Sequence, residues 1–552
     1  MESKKFIILL SVIFLVGMGA FFKFYGLPPE NLPFSTAPNF DLEDGKPIES
    51  SEGYGVSASH PLAVKAGMEV MKNGGNAVDA AIAVSYVLGV VEPYGSGIGG
   101  GGEMLIYPKD NEPITYMYRE NAPLNGNMPS GYSGVPGLIQ GMESLHEDYG
   151  TVDMKQLITP AIEIAEDGFE VDEALYDRLK GAQYRMPTSD IPHFYPKGKP
   201  INPGVTLKQK ELAETLRKLS NKGSDSFYEG ELGENFLEAT DEIKSEDLQS
   251  YSVLKQEPVK GEFAGYDVYS APAPLAGITL IQSLQMAELM NIEETVDEPA
   301  DFIHIVGEIT KRSYNDRIDN IADPAFEDIQ TEKLTSMEYS SELAEDISME
   351  HLSDEYEVND SPADEEDHDN TTHFVVIDKE GTMVSATHTL SNFFGSGKYV
   401  DGYFVNNQLK NFSESSDSPN KIEPGKSPRS FTAPTILSKD GKPVIGIGTP
   451  GGKRIPMMIA EVLIRNLTFK ESIEDAIQQP RFYVEDEKIQ LESEEEYPEE
   501  VVDELEDRGY EVEYYDAGQY YGGVQSLIVN YEENMLYGGA DQRRLGAWQV
   551  EK

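Results

Sequence analysis

An α+β fold is what the sequence predicts, with helices and β-hairpins gathered into different stretches of one chain. Three observations carry that expectation. Two helices follow one another between Ser59 and Val91, a mainly helical stretch with a polar exterior runs from about Val152 to Glu350, and two β-hairpins of one design occupy the C-terminal third. The 552 residues suffice for a large two-layer or four-layer domain, and the 39% hydrophobic content is adequate for its core.

Taken in order, the elements begin with Lys4 and Lys5, an apolar run from Phe6 to Phe22, and Lys23, the pattern of an export signal or a short membrane anchor. Gly17-Met18-Gly19-Ala20 offers small residues but no clean cleavage pattern and no lipobox cysteine exists, so residues 1–25 are read as a signal or membrane anchor, the uncleaved anchor favoured, of an extracytoplasmic protein that is membrane-anchored or secreted. Residues 26–54, Pro-rich and acidic from Leu27 to Glu52, read as a linker. Ser59 is placed to cap the first helix, Pro61 suits its first turn and Gly74-Gly75 ends it. Asn76 caps the second, whose Ala77–Val91 stretch is apolar nearly all round and is therefore expected to be buried. A glycine loop, "GSGIGGGGEMLIYP" from Gly95 to Pro108, then runs into a strand. Neither it nor "GTPGGKR", where Arg454 follows Lys453, has the GxxxxGK[ST] pattern, so both are rejected as nucleotide sites.

A strand pair is expected near Val259 to Ser270. Ser353 to Asn370 is acidic, contains Pro362 and has no apolar periodicity; it reads as a solvated loop, with Asp367-His368-Asp369 part of its acidic face rather than a cation site. The chain then changes character. His373–Ile377 is a strand, Asp378–Gly381 a turn and Thr382–Leu390 a second strand. "SFTAPTILSKDGKPVIGIGTPGGKRIPMMIAEVLI" repeats the design and adds a glycine loop and an amphipathic helix from about Ile455. The two hairpins are expected side by side in one sheet.

With 98 Asp and Glu against 44 Lys and Arg, the formal charge of -54 excludes a general affinity for nucleic acid and makes a polyanionic partner a puzzle. Cysteine is absent, which removes disulfides, thiolate catalysis and cysteine metal sites together.

Two threonines, Thr371 and Thr372, stand where the acidic loop meets the first hairpin. A pivot between Lys379 and Glu380 sets Thr371 opposite His388 with Thr389 one step along, so threonines meet at one strand end. A threonine hydroxyl needs a base to take its proton. If the peptide before Thr371 is cut, the freed α-amine, with an ordinary pKa of about 7.7 to 8, becomes a base attached to the nucleophile itself. The hairpin alone leaves open that these threonines merely begin a strand.

"GGNAVDAAIAV" (Gly74 to Val84), "GIGGGGEMLIY" (Gly97 to Tyr107), "YRENAP" (Tyr118 to Pro123), "TTHFVVID" (Thr371 to Asp378), "NNQLKNF" (Asn406 to Phe412) and "GTPGGKRI" (Gly448 to Ile455) resemble the γ-glutamyltranspeptidase family, and the similarity runs from Val56 to the C-terminus. The resemblance implies an N-terminal nucleophile (Ntn) hydrolase, an αββα four-layer sandwich, made as one precursor that cuts itself between Asn370 and Thr371. Residues 55–370 would be the large subunit and 371–552 the small one, held as a heterodimer. It implies Thr371 as nucleophile and base, Thr389 as its orienting partner, and Gly451 and Gly452 as backbone donors to the oxyanion. Arg119 would grip the α-carboxylate of the γ-glutamyl group, Gln408 and Ser430 would bind substrate, and Arg543 would support the carboxylate end. No cofactor and no metal are implied. His373 is read as a packed strand residue.

The sequence departs from glutathione-type members at three places. Asn411 stands where they carry an Asp that pairs with the donor's α-ammonium; in a γ-linked glutamate polymer that nitrogen is an amide, and a buried Asp would face it at an unrepaid desolvation cost. Arg429 replaces an uncharged leucine, which suits a donor with carboxylates on every unit. Ser391 stands where an Asn is usual, with Asn392 next to it. These features resemble the poly-γ-glutamate capsule depolymerase (CapD-type) branch. The expected activity is γ-glutamyl transfer or hydrolysis on poly-γ-glutamate, with an amine or water as acceptor. A glutathione-type transpeptidase and a non-catalytic capsule-binding surface protein are the alternatives.

Overall fold

The computed structural model describes residues 45–109, 111–353, 370–485, 487–493, 497–515 and 518–552. The proposed anchor, most of the linker and Asp367–Asp369 lie outside the described residues. Two helices, α1 (Pro61–Lys72) and α2 (Ala77–Val91), open the architecture. Asn76 and Asp79 form a reciprocal cap on α2, and every residue of α2 except Gly89 is buried, as its all-round apolar sequence requires. The cap of α1 is His60, whose ring accepts the Leu62 N–H; Ser59, expected in that role, is engaged elsewhere.

Seven strands form the first sheet: β1 (Tyr54–Ala58), β2 (Gly101–Tyr107), β3 (Ile114–Tyr118), β4 (Leu254–Gln256), β7 (Asn370–Ile377), β8 (Met383–Ser391) and β13 (Ala547–Glu551), in the order β13-β1-β7-β8-β2-β3-β4. Six form the second: β5 (Val259–Phe263), β6 (Tyr266–Ser270), β9 (Thr435–Lys439), β10 (Lys442–Gly448), β11 (Gln525–Asn530) and β12 (Met535–Ala540), in the order β12-β11-β10-β9-β6-β5. The strand pair at Val259–Ser270 is present; the two hairpins are not neighbours in one sheet. They lie in different sheets, stacked face to face, with β7 and β8 buried on both faces.

Alternation along β7 sorts those covers. Phe374 and Val376 pack with α1 and α2, while Val375 and Ile377 pack with Ile436, Leu527 and Val529 of the second sheet. The outer face of the second sheet is covered by α3 (Gly277–Leu289), α4 (Pro299–Asn320) and α5 (Ile455–Leu463). All nine residues of α5 are buried, so it is a core helix rather than an amphipathic one. Helix, sheet, sheet, helix is the αββα sandwich of Ntn hydrolases. Among the described residues no helix is long and apolar enough to cross a membrane.

Candidate active site

β7 and β8 bring Thr371 directly opposite Thr389, and His388 opposite Thr372. The register is one step from that expected. Ile377 pairs with Met383, leaving five loop residues instead of an even number, and Asp378 closes that loop by accepting the Thr382 N–H on Oδ1 at 2.9 Å. The correction tightens the threonine pair. Both side chains then fall on the face between the sheets, at the open end of that layer. Thr372 points the other way, into the helix layer.

In the uncut chain the Thr389 hydroxyl donates to the Asn370 carbonyl at 2.6 Å and accepts the Ser391 N–H at 2.8 Å. The carbonyl it polarises belongs to the peptide bond preceding Thr371. Ser391 follows a register shift and has φ +76, a left-handed conformation that turns its N–H back onto Thr389. Asn370 is fixed from its side chain, which donates to the Asn392 carbonyl at 3.0 Å, while the Asn392 N–H is held by Asn407 Oδ1 at 2.9 Å. The glycine run beside β8 is there for close approach: a Cβ on Gly100 would come within 2.3 Å of the Thr389 carbonyl.

A pocket opens on this pair. Thr371, Thr389, Ser391, Gln408, Asn411, Arg429, Ser430 and Gly452 line it, joined by Arg317, Phe431, Thr432, Lys453 and Ile455, which the sequence did not suggest. Several buried polar atoms on these walls have no hydrogen-bond partner among the described residues: Ser391 Oγ, both ends of the Gln408 amide and Asn411 Oδ1. Buried polar groups are ordinarily satisfied, so such a concentration marks a place built for a polar ligand. Asn411 is oriented by donating its Nδ2 to the Arg429 carbonyl at 3.2 Å, which leaves Oδ1 as an acceptor. Gly452 opens a short 3-10 turn, Gly452–Arg454, leading into α5, so Gly451 and Gly452 sit where peptide N–H groups lack intrahelical partners and the helix dipole favours negative charge.

Two arginines are placed differently from expectation. Arg119 is buried and does not line the pocket; it stands between Glu103 and Glu120, each 3.5 Å from its guanidinium. Glu103 in turn bonds Thr432 on the pocket wall. Burial lifts the Glu103 carboxyl to about 7, opposed by the Arg119 charge and the Thr432 hydrogen bond. Arg119 Nε and Nη2 have no hydrogen-bond partner among the described residues, so part of its donor capacity remains. Arg543 lies outside the pocket, tied to Glu492 by bonds of 2.5 and 2.6 Å and to Asp541 at 3.2 Å. Two carboxylates and the carbonyls of Ile477 and Gln479 occupy its guanidinium. Arg429 lines the pocket, and its Nη1 caps α4 through the carbonyls of Arg317 and Ile318 at 3.0 and 2.6 Å.

Behind β7, Thr372 Oγ1 meets Ser59 Oγ at 2.6 Å, Ser59 donates to Glu92 at 2.8 Å, and Tyr94 donates to the other Glu92 oxygen at 2.9 Å. Burial raises the Glu92 carboxyl against the stabilising bonds of Thr372, Ser59 and Tyr94. A carboxylate closing the apolar run of α2 is a signal the sequence offered and the motif reading passed over. His373 is a packed strand residue, neutral, pushed down to about 3 by burial, and bonded to Thr387 at 2.9 Å.

A family model described as gamma-glutamyltranspeptidase matches residues 63–550. The chain is 45% identical to the capsule biosynthesis protein CapD proenzyme of Bacillus anthracis, over 90% of this chain and 91% of that one. It is 31% identical to the glutathione hydrolase proenzyme of Bacillus subtilis (strain 168), over 98% and 97%. Among solved structures it is similar to cephalosporin acylase from Bacillus halodurans, with a TM-score of 0.83 at 25% identity, covering 95% of this chain and 99% of that one.

Proposed function

This chain belongs to the gamma-glutamyltranspeptidase family, an enzyme family of the Ntn-hydrolase type, and from that premise we propose that it cuts itself between Asn370 and Thr371 and then cleaves γ-glutamyl amide bonds of poly-γ-glutamate. The observation that carries the reading is the polarised Asn370 carbonyl beside Thr371 and Thr389, in a pocket that also holds Gly452.

In self-cleavage the Thr371 hydroxyl oxygen adds to the Asn370 carbonyl carbon while Thr389 donates to the developing oxyanion. The C–N bond breaks as the hydroxyl proton passes to the departing Thr371 nitrogen, the acyl group is left on the Thr371 oxygen, and water hydrolyses that ester. The products are an Asn370 carboxylate and a free Thr371 amine. The two chains stay together: in the first sheet β7 and β8 of the new small chain lie between β1 and β2 of the large one, and β9 pairs with β6 in the second.

In turnover the Thr371 amine takes the hydroxyl proton, the oxygen attacks the γ-carbonyl, and the Gly451 and Gly452 N–H groups face the oxyanion. The leaving amine departs with the proton, and water or an amine acceptor resolves the γ-glutamyl ester. Asn411 supports the polymer as donor, since its Oδ1 is an acceptor matched to an amide N–H. So does the relative named for capsule biosynthesis, at higher identity than the glutathione hydrolases. The N-terminal apolar run supports an extracytoplasmic, membrane-attached location.

The test is to incubate processed protein with poly-γ-glutamate and with glutathione in parallel, after N-terminal sequencing of the smaller fragment. Thr-Thr-His at that terminus and faster release from the polymer are expected. An intact chain with full activity would overturn the mechanism, and turnover of glutathione alone would overturn the donor.

A further inference from the structure

Self-cleavage as proposed leaves Thr371 at a chain end, and a chain end frays unless something ties it down. One edge of β7 offers it little. The ladder with β1 runs from Gly55 and Ile377 to Ala58 and Phe374, where β1 stops, so from Thr371 to His373 the strand is paired through β8 alone among the described residues. Ser59, the residue after β1, reaches β7 with its side chain instead: its Oγ lies 2.6 Å from Thr372 Oγ1 and donates to Glu92 at 2.8 Å. A hydroxyl has one proton, so with that of Ser59 committed to Glu92, Thr372 is the donor in the shorter contact. Glu92 is fixed in turn by Tyr94 on its other oxygen at 2.9 Å, and its own carbonyl accepts the Gly95 and Ser96 N–H groups at 2.8 and 3.1 Å. That turn lies against the same strand, since a Cβ on Gly95 would stand 3.5 Å from the Thr371 carbonyl oxygen. Ser59, Thr372 and Glu92 are all buried, so these bonds are made away from bulk water.

We propose that Ser59 and Glu92 are positioning residues for Thr371, a clamp that acts through Thr372 to hold the new chain end in register. The inference rests on the reading of Thr371 as nucleophile and deepens it by naming what keeps the cut end in place. In the uncut chain Thr371 is held from both sides, since the Asn370 side chain is tied to the Asn392 carbonyl and the Asn370 carbonyl to Thr389. Cutting removes the covalent link to that anchor, and Thr372 becomes the first side chain behind the terminus. Hydroxyl and amine both sit on Thr371, so a terminus that shifts moves nucleophile and base together away from the attacked carbonyl. The clamp therefore matters more to turnover than to self-cleavage, the reverse of what Thr389 does for the Asn370 carbonyl.

The experiment compares wild type with Thr372→Val, Ser59→Ala, Glu92→Gln, the Ser59→Ala and Thr372→Val double variant, and Thr372→Ser. Turnover of poly-γ-glutamate and of a single-unit γ-glutamyl anilide is measured on processed enzyme, and the rate of self-cleavage and the thermal unfolding of every variant are followed alongside. Thr372→Val, Ser59→Ala and Glu92→Gln are each expected to lower kcat about tenfold on both donors, with self-cleavage slowed less. The double variant should fall no further than the worse single one, because both substitutions remove the same contact. Thr372→Ser keeps the hydroxyl and should recover most of the rate. Wild-type kcat in Thr372→Val and Ser59→Ala, no recovery in Thr372→Ser, or a loss that strikes self-cleavage as hard as turnover overturns the clamp alone. Should Thr372→Val fail to fold, Ser59→Ala and Glu92→Gln carry the same comparison. A wild type that is fully active without a Thr-Thr-His terminus overturns the Thr371 reading, and the clamp with it.

Discussion

Thr389→Val is the substitution that most directly tests how the uncut chain is arranged. It keeps the shape of the side chain and removes one hydroxyl that makes two hydrogen bonds, to the Asn370 carbonyl at 2.6 Å and from the Ser391 N–H at 2.8 Å. In the ground state each lost bond costs about 1 kcal/mol, and more where a buried partner is orphaned. In self-cleavage the Asn370 oxygen gains charge, so the bond to it strengthens as the barrier is climbed, and loss of such a donor costs roughly 2.7–4 kcal/mol. At about 1.4 kcal/mol per decade, processing should slow by roughly a hundredfold or more. Turnover by already processed enzyme should suffer less, about 1–3 kcal/mol, because the Asn370 carbonyl has then left and only orientation of Thr371 is lost. The assay is a time course of fragment appearance on denaturing gels, with Thr371→Ala as the uncut reference and Thr389→Ser as the variant that retains the hydroxyl. Cleavage of Thr389→Val at the wild-type rate would refute the reasoning, whatever happened to turnover.

Asn411→Asp should raise the ratio of kcat/KM for glutathione over polymer at least tenfold, about 1.4 kcal/mol, by offering a carboxylate to a free α-ammonium and withdrawing the Nδ2 bond to the Arg429 carbonyl; a flat ratio would remove Asn411 from donor choice. Glu103, lifted from 4.5 to about 7 mainly by burial, binds its proton more tightly in the folded chain than in the unfolded one. Its contribution is therefore full below the unfolded value and falls as pH rises from about 4.5 to 7, so Glu103→Gln should flatten the wild-type loss of unfolding free energy between pH 5 and 7, measured in urea. The formal charge of -54 repels a polyanion over distances that salt screens to about 10 Å at 0.1 M, so the polymer KM should fall as salt rises from very low values while that of a small neutral γ-glutamyl anilide changes little; parallel salt curves would contradict this.

What the sequence made legible follows from the range of its signals. Helix α2 was legible because fifteen successive residues from Ala77 carry one message, burial on all sides, and Asn76 marks its start. The hairpins were legible as hairpins, because alternation and turn chemistry are local. Their assignment to sheets was not, since β7 and β10 are apolar on both faces and such strands fit one sheet or two facing sheets equally well. The register slipped by one because Asp378 closes the loop with its side chain, a contact that strand counting does not see. At the site, the Thr371 and Thr389 pairing and the Gly452 turn were within reach of motif and register. Arg317 was not, since it comes from α4, and only the packing of that helix beside Arg429 brings it to the pocket. Arg543 shows the reverse: its motif position is met, but Glu492, from a segment with no motif, takes the guanidinium.

In the proposed mechanism one nucleophile serves two reactions, and the uncut chain separates the atoms assigned to each. Thr389 and the Asn392 carbonyl are already engaged with Asn370, so their work in self-cleavage is done by contacts internal to the chain. Ser391 Oγ, the Gln408 amide and Asn411 Oδ1 face the same pocket, yet the precursor gives them no partner among the described residues. A peptide bond before Thr371 presents only a carbonyl and the Asn370 side chain, whereas a γ-glutamyl donor brings an α-carboxylate and an α-nitrogen besides. On this proposal the second group of atoms is surplus to self-cleavage and matched to what the donor adds. The proposal thus assigns selection among donors to residues that cleavage does not use, which is why the Asn411 measurement belongs on processed enzyme.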